Sequence, residues 1–263
     1  MIVDAHCHVW PDHIAPKVLA NRPAGMDARH DGTLSGLTRT LDAAGIDKAM
    51  TLAIAGVPKN VARTNEFIGT VPRDRFIPFG TVHPGLSIED NLVSLRDNGI
   101  RGVKLHPLFQ DLSLGDPAVH DLLRALAEDG VTVITHAGAG GDAAANERGA
   151  PEHLRAIIDA IPSLRLIACH YGGYHCIDEA EELVVGAPRV ILETSWPPRL
   201  ADFDQDRLRA IVARHGADRV VYGSDWPMTD PAAEVAAVRA LGLPEADEAA
   251  ILGGNLARLL DLS

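Results

Sequence analysis

The chain has only three cysteines, at 7, 169 and 176, and no CxxC pair among them. An odd set of this kind excludes a disulfide framework and suits a reducing, cytoplasmic setting. No apolar run approaches the ~20 residues that a membrane span needs, and strand-like sequence begins at Ile2, leaving no room for a targeting leader. There is no GxGxxG or Walker sequence, so a nucleotide-binding open sheet lacks its phosphate turn. Basic residues are outnumbered, 24 against 36 acidic, and the net charge of −12 argues against nucleic acid or an anionic membrane as partner. Linkers, repeats and low-complexity tracts are missing too, which predicts one domain over residues 1–263.

Eight short runs rich in β-branched or apolar residues are present: 1–9, 48–56, 75–83, 100–107, 131–138, 164–173, 189–196 and 219–227. Helix-like stretches fall between them, among them 34–45, 87–99, 117–130 and 151–162, several opening on Ser, Asp or Pro and closing on Gly. Eight alternations of strand and helix predict an α/β fold, a (β/α)8 TIM barrel, with an open doubly wound sheet as runner-up. Residues 11–33 carry no clear element and read as a lid, and 245–262 as one or two closing helices.

In such a barrel the chemistry lies at the C-terminal ends of the strands. The stretch "VDAHCHVW" places Asp4, His6 and His8 on one face of the first strand, where alternate imidazoles can converge on one ion. His83, Lys104, His106, His136, His170 and Asp225 come late in later strands. That concentration points to a metal site. His13, His30, His120, His153, His175 and His215 lie outside the strands and read as surface or supporting residues, while Cys7 and Cys169 read as packed core thiols. Trp10, Trp196 and Trp226 each precede a proline, which puts them at strand exits, either as rim packing or as an apolar wall suited to a planar substrate.

The segments "DAHCH", "GVKLHP", "THAG", "CHYGG", "YGSDWP" and "ILGGNLARLL", in this order and at these strands, resemble the amidohydrolase superfamily. The resemblance is strongest to its amidohydrolase-related branch, which includes aminocarboxymuconate semialdehyde and resorcylate decarboxylases. It implies one divalent ion, zinc first and manganese second, held by His6, His8, His136 and Asp225. A second ion would use Lys104, where binuclear members carry a carbamylated lysine, but His106 two residues on departs from that pattern. The ion would lower the pKa of a water toward neutrality, Asp225 would move its proton, His170 would polarise or relay, and Asp4 would hold a ligand imidazole. Lys104, His106 or Arg199 would bind a substrate carboxylate.

The expected reaction is hydrolysis of an amide, ester or lactone in a small carboxylated substrate. Non-oxidative decarboxylation of an aromatic or enoic acid is the alternative, followed by a metal-free lactonase and a scaffold without turnover. A small molecule is the expected partner, with a homo-oligomer possible and neither nucleic acid nor membrane involved.

Overall fold

The computed structural model describes residues 1–21, 27–140 and 143–262. Its strands are β1 (Val3–His8), β2 (Lys48–Leu52), β3 (Phe76–Thr81), β4 (Gly102–Leu105), β5 (Thr132–Thr135), β6 (Arg165–Ala168), β7 (Val190–Glu193) and β8 (Val220–Val221). They form one eight-stranded sheet in chain order. From β3 to β7 the pairs are parallel, with registers such as Gly80 beside Val103 and Val133 beside Leu166. The last strand returns to the first, for Ala5 N donates to Tyr222 O and His8 N to Trp226 O, at 2.9 and 2.7 Å. This is the strand order of a (β/α)8 barrel, as the alternation in the sequence predicts.

Contacts along the chain gather into two compact units. The first comprises Met1–Thr51, Pro72–Ile77 and Glu193–Ser263. It holds β1, most of β2, β8, the helices α1 (Ala15–Ala20) and α2 (Leu34–Ala44), and, after α3 to α8 of the other unit, α9 (Gln205–His215), α10 (Pro231–Ala240), α11 (Glu245–Ala249) and α12 (Asn255–Leu260). Local sequence sets these boundaries. Thr33 Oγ1 accepts the amide of Gly36 at α2, and Gly45 ends that helix at φ 67°. Asp204 and Asp230 cap α9 and α10 in the same way. Every residue of β1 is buried, as a barrel strand covered on both sides requires. The π-helical turn Ala250–Gly254 runs so close to β1 that a Cβ on Gly253 would lie 2.5 Å from the Met1 carbonyl oxygen.

The second unit comprises Leu52–Val71 and Pro78–Leu192. It holds most of β3, β4 to β6, most of β7, and the helices α3 (Val61–Gly69), α4 (Ile88–Asp97), α5 (Pro117–Glu128), α6 (Ala143–Asn146), α7 (Pro151–Ala160) and α8 (Ile177–Leu183). Proline opens α5 and α7, where its missing N–H is not needed. In α5, Val119, Leu122, Leu123 and Leu126 fall at i, i+3, i+4 and i+7 and are all buried. Each such side chain contributes roughly 1.5–3 kcal/mol.

Two expectations are refined. The connection 11–33 carries a short helix, α1, and its residues 22–26 lie outside those described. His215, read from sequence as a surface or supporting residue, is wholly buried at the C-terminal end of α9, whose last turn turns it inward.

Candidate functional site

In the first unit, the polar face of β1 meets the segment that follows β8. His6 and His8 point the same way because they are two residues apart in a strand, and their Nε2 atoms lie 3.1 Å apart. Asp225 Oδ1 lies 3.4 Å from the first of these nitrogens and 3.7 Å from the second. All three side chains are at most 9 % exposed. Donors on a tetrahedral ion with bonds of about 2.0–2.1 Å stand about 3.4 Å from one another. The His6–His8–Asp225 spacing therefore matches that of ligands sharing one divalent ion, and two imidazoles with a carboxylate are the donor types such an ion takes.

The backbone around Asp225 is left-handed, at φ 63°. A non-glycine residue in that region is strained by about 1–3 kcal/mol, and the strain is held by flanking hydrogen bonds. Trp226 N donates to His6 O and Met228 N to Asp225 O.

Sequence reasoning passed over Glu193, the last residue of β7. It is fully buried, and its Oε2 accepts from His6 Nδ1 at 3.0 Å and from Ser195 Oγ at 2.9 Å. The alternation within "VILETS" puts Glu193 on the same strand face as Ser195 and Ile191, a signal that was present in the sequence. Asp4 was expected to hold a ligand imidazole. Its Oδ1 instead accepts the backbone amides of His6 and Ser224, both at 2.9 Å. Burial pushes the Asp4 carboxyl up to about 6, with those hydrogen bonds opposing the rise.

In the second unit, His136 follows β5 and His170 follows β6. His136 Nε2 lies 2.9 Å from the Ala139 carbonyl oxygen, which can only accept, so this nitrogen carries the proton. His136 Nδ1 then presents its lone pair, and it lies 3.1 Å from His170 Nε2. His170 and Tyr171 are both left-handed, at φ 57° and 53°, a second strained corner beside these imidazoles. His106, just past β4, stacks on His136 with centroids 4.4 Å apart, and Phe109 stacks on His106 at 4.0 Å. Phe109 is half exposed, so three parallel rings run from the surface to His136.

Several predicted residues take other positions. Lys104 is fully buried, with Nζ 3.0 Å from Cys169 Sγ. Cys169 is therefore buried as expected but has a polar contact rather than purely apolar packing. Burial also pushes the Cys7 thiol well above its usual value, which fits an inert core thiol. Trp226, read from sequence either as rim packing or as part of an apolar wall, has no exposed surface and stacks on the half-buried His30, an environment of packing. Arg199 is exposed and doubly bonded to Asp202, which takes up its fork. Trp10 and Trp196 are half-buried; Trp10 stacks near His8 at 6.0 Å and Trp196 meets Phe203 edge-on.

The fold and these residues together are those of an α/β-barrel enzyme with a group of side chains that could hold a metal ion. The sequence matches the amidohydrolase family over residues 3–262, and the chain belongs to that family. No curated protein matches it. Among solved structures it is similar to 5-carboxyvanillate decarboxylase LigW from Sphingomonas paucimobilis, at 18% identity and TM-score 0.73 over 100% of this chain and 99% of that one. It is also similar to a dihydroxybenzoic acid decarboxylase from a Polaromonas species with bound manganese, at 15% identity and TM-score 0.75, covering 99% and 97%. A third is a probable 2-pyrone-4,6-dicarboxylic acid hydrolase from Acinetobacter baumannii, at 18% identity and TM-score 0.71, covering 99% of both chains. Likeness at these identities establishes the barrel. Among the described residues, no helix is long and apolar enough to cross a membrane.

Proposed function

We propose that the protein is a divalent-metal-dependent carboxy-lyase that removes CO2 from a small aromatic or enoic acid. The observation that carries the metal part is the His6–His8–Asp225 spacing of 3.1, 3.4 and 3.7 Å, set for ligands of one ion. His136 is proposed as the fourth ligand. With Nε2–H committed to Ala139 O, the nitrogen it offers is Nδ1. Zinc or manganese suits this nitrogen and oxygen set.

When bound, the ion supplies Lewis acidity that neutralises charge on a substrate oxygen. The residues do the rest. Decarboxylation of a ring acid needs a proton on the carbon that loses CO2, and Asp225 is the proposed donor at its carboxyl oxygen. His170 Nε2 lies 3.1 Å from the same His136 Nδ1, a contact that is given up when that lone pair goes to the ion, and His170 is the proposed proton-relaying or polarising group beside it. The Phe109–His106–His136 stack offers a planar ring a parallel surface, and His106, Trp10 and Trp196 are the proposed substrate contacts. Lys104, whose Nζ contacts Cys169 Sγ, and Arg199, which is paired with Asp202, are the proposed partners for a substrate carboxylate.

Sequence reasoning placed hydrolysis first. The decarboxylases among the similar structures move the weight to CO2 loss, whereas the pyrone hydrolase keeps ester or lactone cleavage as the second reading. In that reading Asp225 accepts the proton of the attacking water. The test is to supply the manganese- or zinc-loaded protein with hydroxybenzoic acids and with 2-pyrone-4,6-dicarboxylate, following CO2 and ring opening separately. CO2 release from the aromatic acids supports the proposal. Ring opening with no CO2 from any of them selects the second reading.

A further inference from the structure

We infer that Glu193 is the positioning residue for His6, fixing its tautomer and so setting how tightly the His6–His8–Asp225 group holds a divalent ion. The inference rests on the metal reading above and adds to it a residue on β7.

Four observations converge. Glu193 Oε2 lies 3.0 Å from His6 Nδ1, and a carboxylate there accepts a proton from that nitrogen. The proton on Nδ1 leaves the lone pair on Nε2, which is the atom that faces His8 Nε2 and Asp225 Oδ1. The reverse tautomer would set a lone pair against the carboxylate and a proton where the ion belongs. Glu193 is itself held: its Oε1 accepts Ser195 N at 2.5 Å and its Oε2 accepts Ser195 Oγ at 2.9 Å. Finally, the chain beside it makes room, since a Cβ on Gly223 would lie 2.2 Å from Glu193 Oε1. A buried carboxylate that is anchored twice, given space by a glycine and aimed at the far nitrogen of a ligand imidazole is arranged to orient that ring. Orienting carboxylates of this type change metal affinity by roughly 10–100-fold when removed.

Gln in place of Glu193 keeps the shape but can present either its carbonyl or its amide to Nδ1, so both tautomers become accessible. Asp keeps the charge but withdraws it by one methylene. The test compares wild type, Glu193→Gln, Glu193→Asp and Gly223→Ala in two measurements, after thermal melts confirm folding. The first is manganese and zinc affinity by titration against a competing chelator. The second is nitrogen-15 NMR of the metal-free protein, with the His6 signal assigned by its loss in His6→Asn.

The expected result is Nδ1–H on His6 in wild type, a mixture of tautomers in Glu193→Gln, and binding roughly 10–100-fold weaker in that variant. Glu193→Asp and Gly223→Ala should fall between. A wild-type His6 protonated on Nε2, or a Glu193→Gln protein that binds both ions as tightly as wild type, overturns the inference. Should wild type bind neither ion, the metal reading fails, and the tautomer measurement alone decides whether Glu193 positions the ring.

Discussion

Gln110 holds the backbone of His106 in place: its Oε1 accepts the His106 amide at 2.8 Å. Its Nε2 lies 3.2 Å from the Ala55 carbonyl oxygen and 2.9 Å from that of Val82. One fully buried side chain thus ties together the chain leaving β2, β3 and β4. Gln110→Ala would leave these groups without partners in the interior, where each unsatisfied group costs about 1–3 kcal/mol. Urea denaturation should show a loss of about 2–4 kcal/mol, together with lower activity because His106 is no longer fixed. A variant as stable as wild type would mean that water replaces the amide.

What the sequence made legible was what periodicity and residue type encode. The eight strands, α2, α4, α5 and α7 follow from alternation and end signals that act over a few residues. His6 and His8 were legible because a strand forces alternate residues to one side, and the order of motifs suggested Asp225. Glu193 was harder to see because its partner is 187 residues away: alternation along β7 gives the face it occupies but not what it meets there. Trp226 shows the opposite difficulty. The proline after it told where the strand ends, but the ring it stacks on, His30, lies nearly two hundred residues earlier.

The tryptophans therefore separate. Trp226→Ala removes a fully buried ring and should destabilise the protein by about 3–5 kcal/mol, the usual cost of emptying an aromatic site. Trp10 is half-buried near His8, so Trp10→Ala should lower Tm by only a few degrees while raising KM. Equal effects of the two substitutions on both Tm and KM would refute this division.

Glu234 makes stability depend on alkali. It is buried in α10, and that burial raises its carboxyl from about 4.5 to about 8, while its hydrogen bond from Leu200 N opposes the rise. Between those two values the folded state retains a proton that the unfolded chain has lost, so stability falls as pH rises through that window. The slope is at most roughly 1.4 kcal/mol per pH unit. Glu234→Gln retains an acceptor for Leu200 N and has no charge to bury. Its Tm should match wild type near pH 5 and exceed it at pH 9. Parallel Tm curves for the two proteins across this range would contradict the assignment.

Asp225→Asn separates proton transfer from ion binding. The amide keeps one oxygen for the ion but cannot exchange a proton as a carboxyl does. The variant should retain most of its metal and lose on the order of a hundredfold or more in kcat. His170→Asn should also keep the ion, since His170 is proposed as a relay rather than a ligand. Wild-type turnover in a metal-replete Asp225→Asn protein would assign the proton step to another group.

The most direct test is the metal content of protein purified without chelators, measured by elemental analysis in wild type and His6→Ala. The account predicts about one divalent ion per chain in wild type, as one four-ligand group implies, and little in His6→Ala, which loses one of the two imidazoles on β1. Fresh wild-type protein that is fully active without a transition metal, or a His6→Ala variant that keeps a full complement, would contradict it.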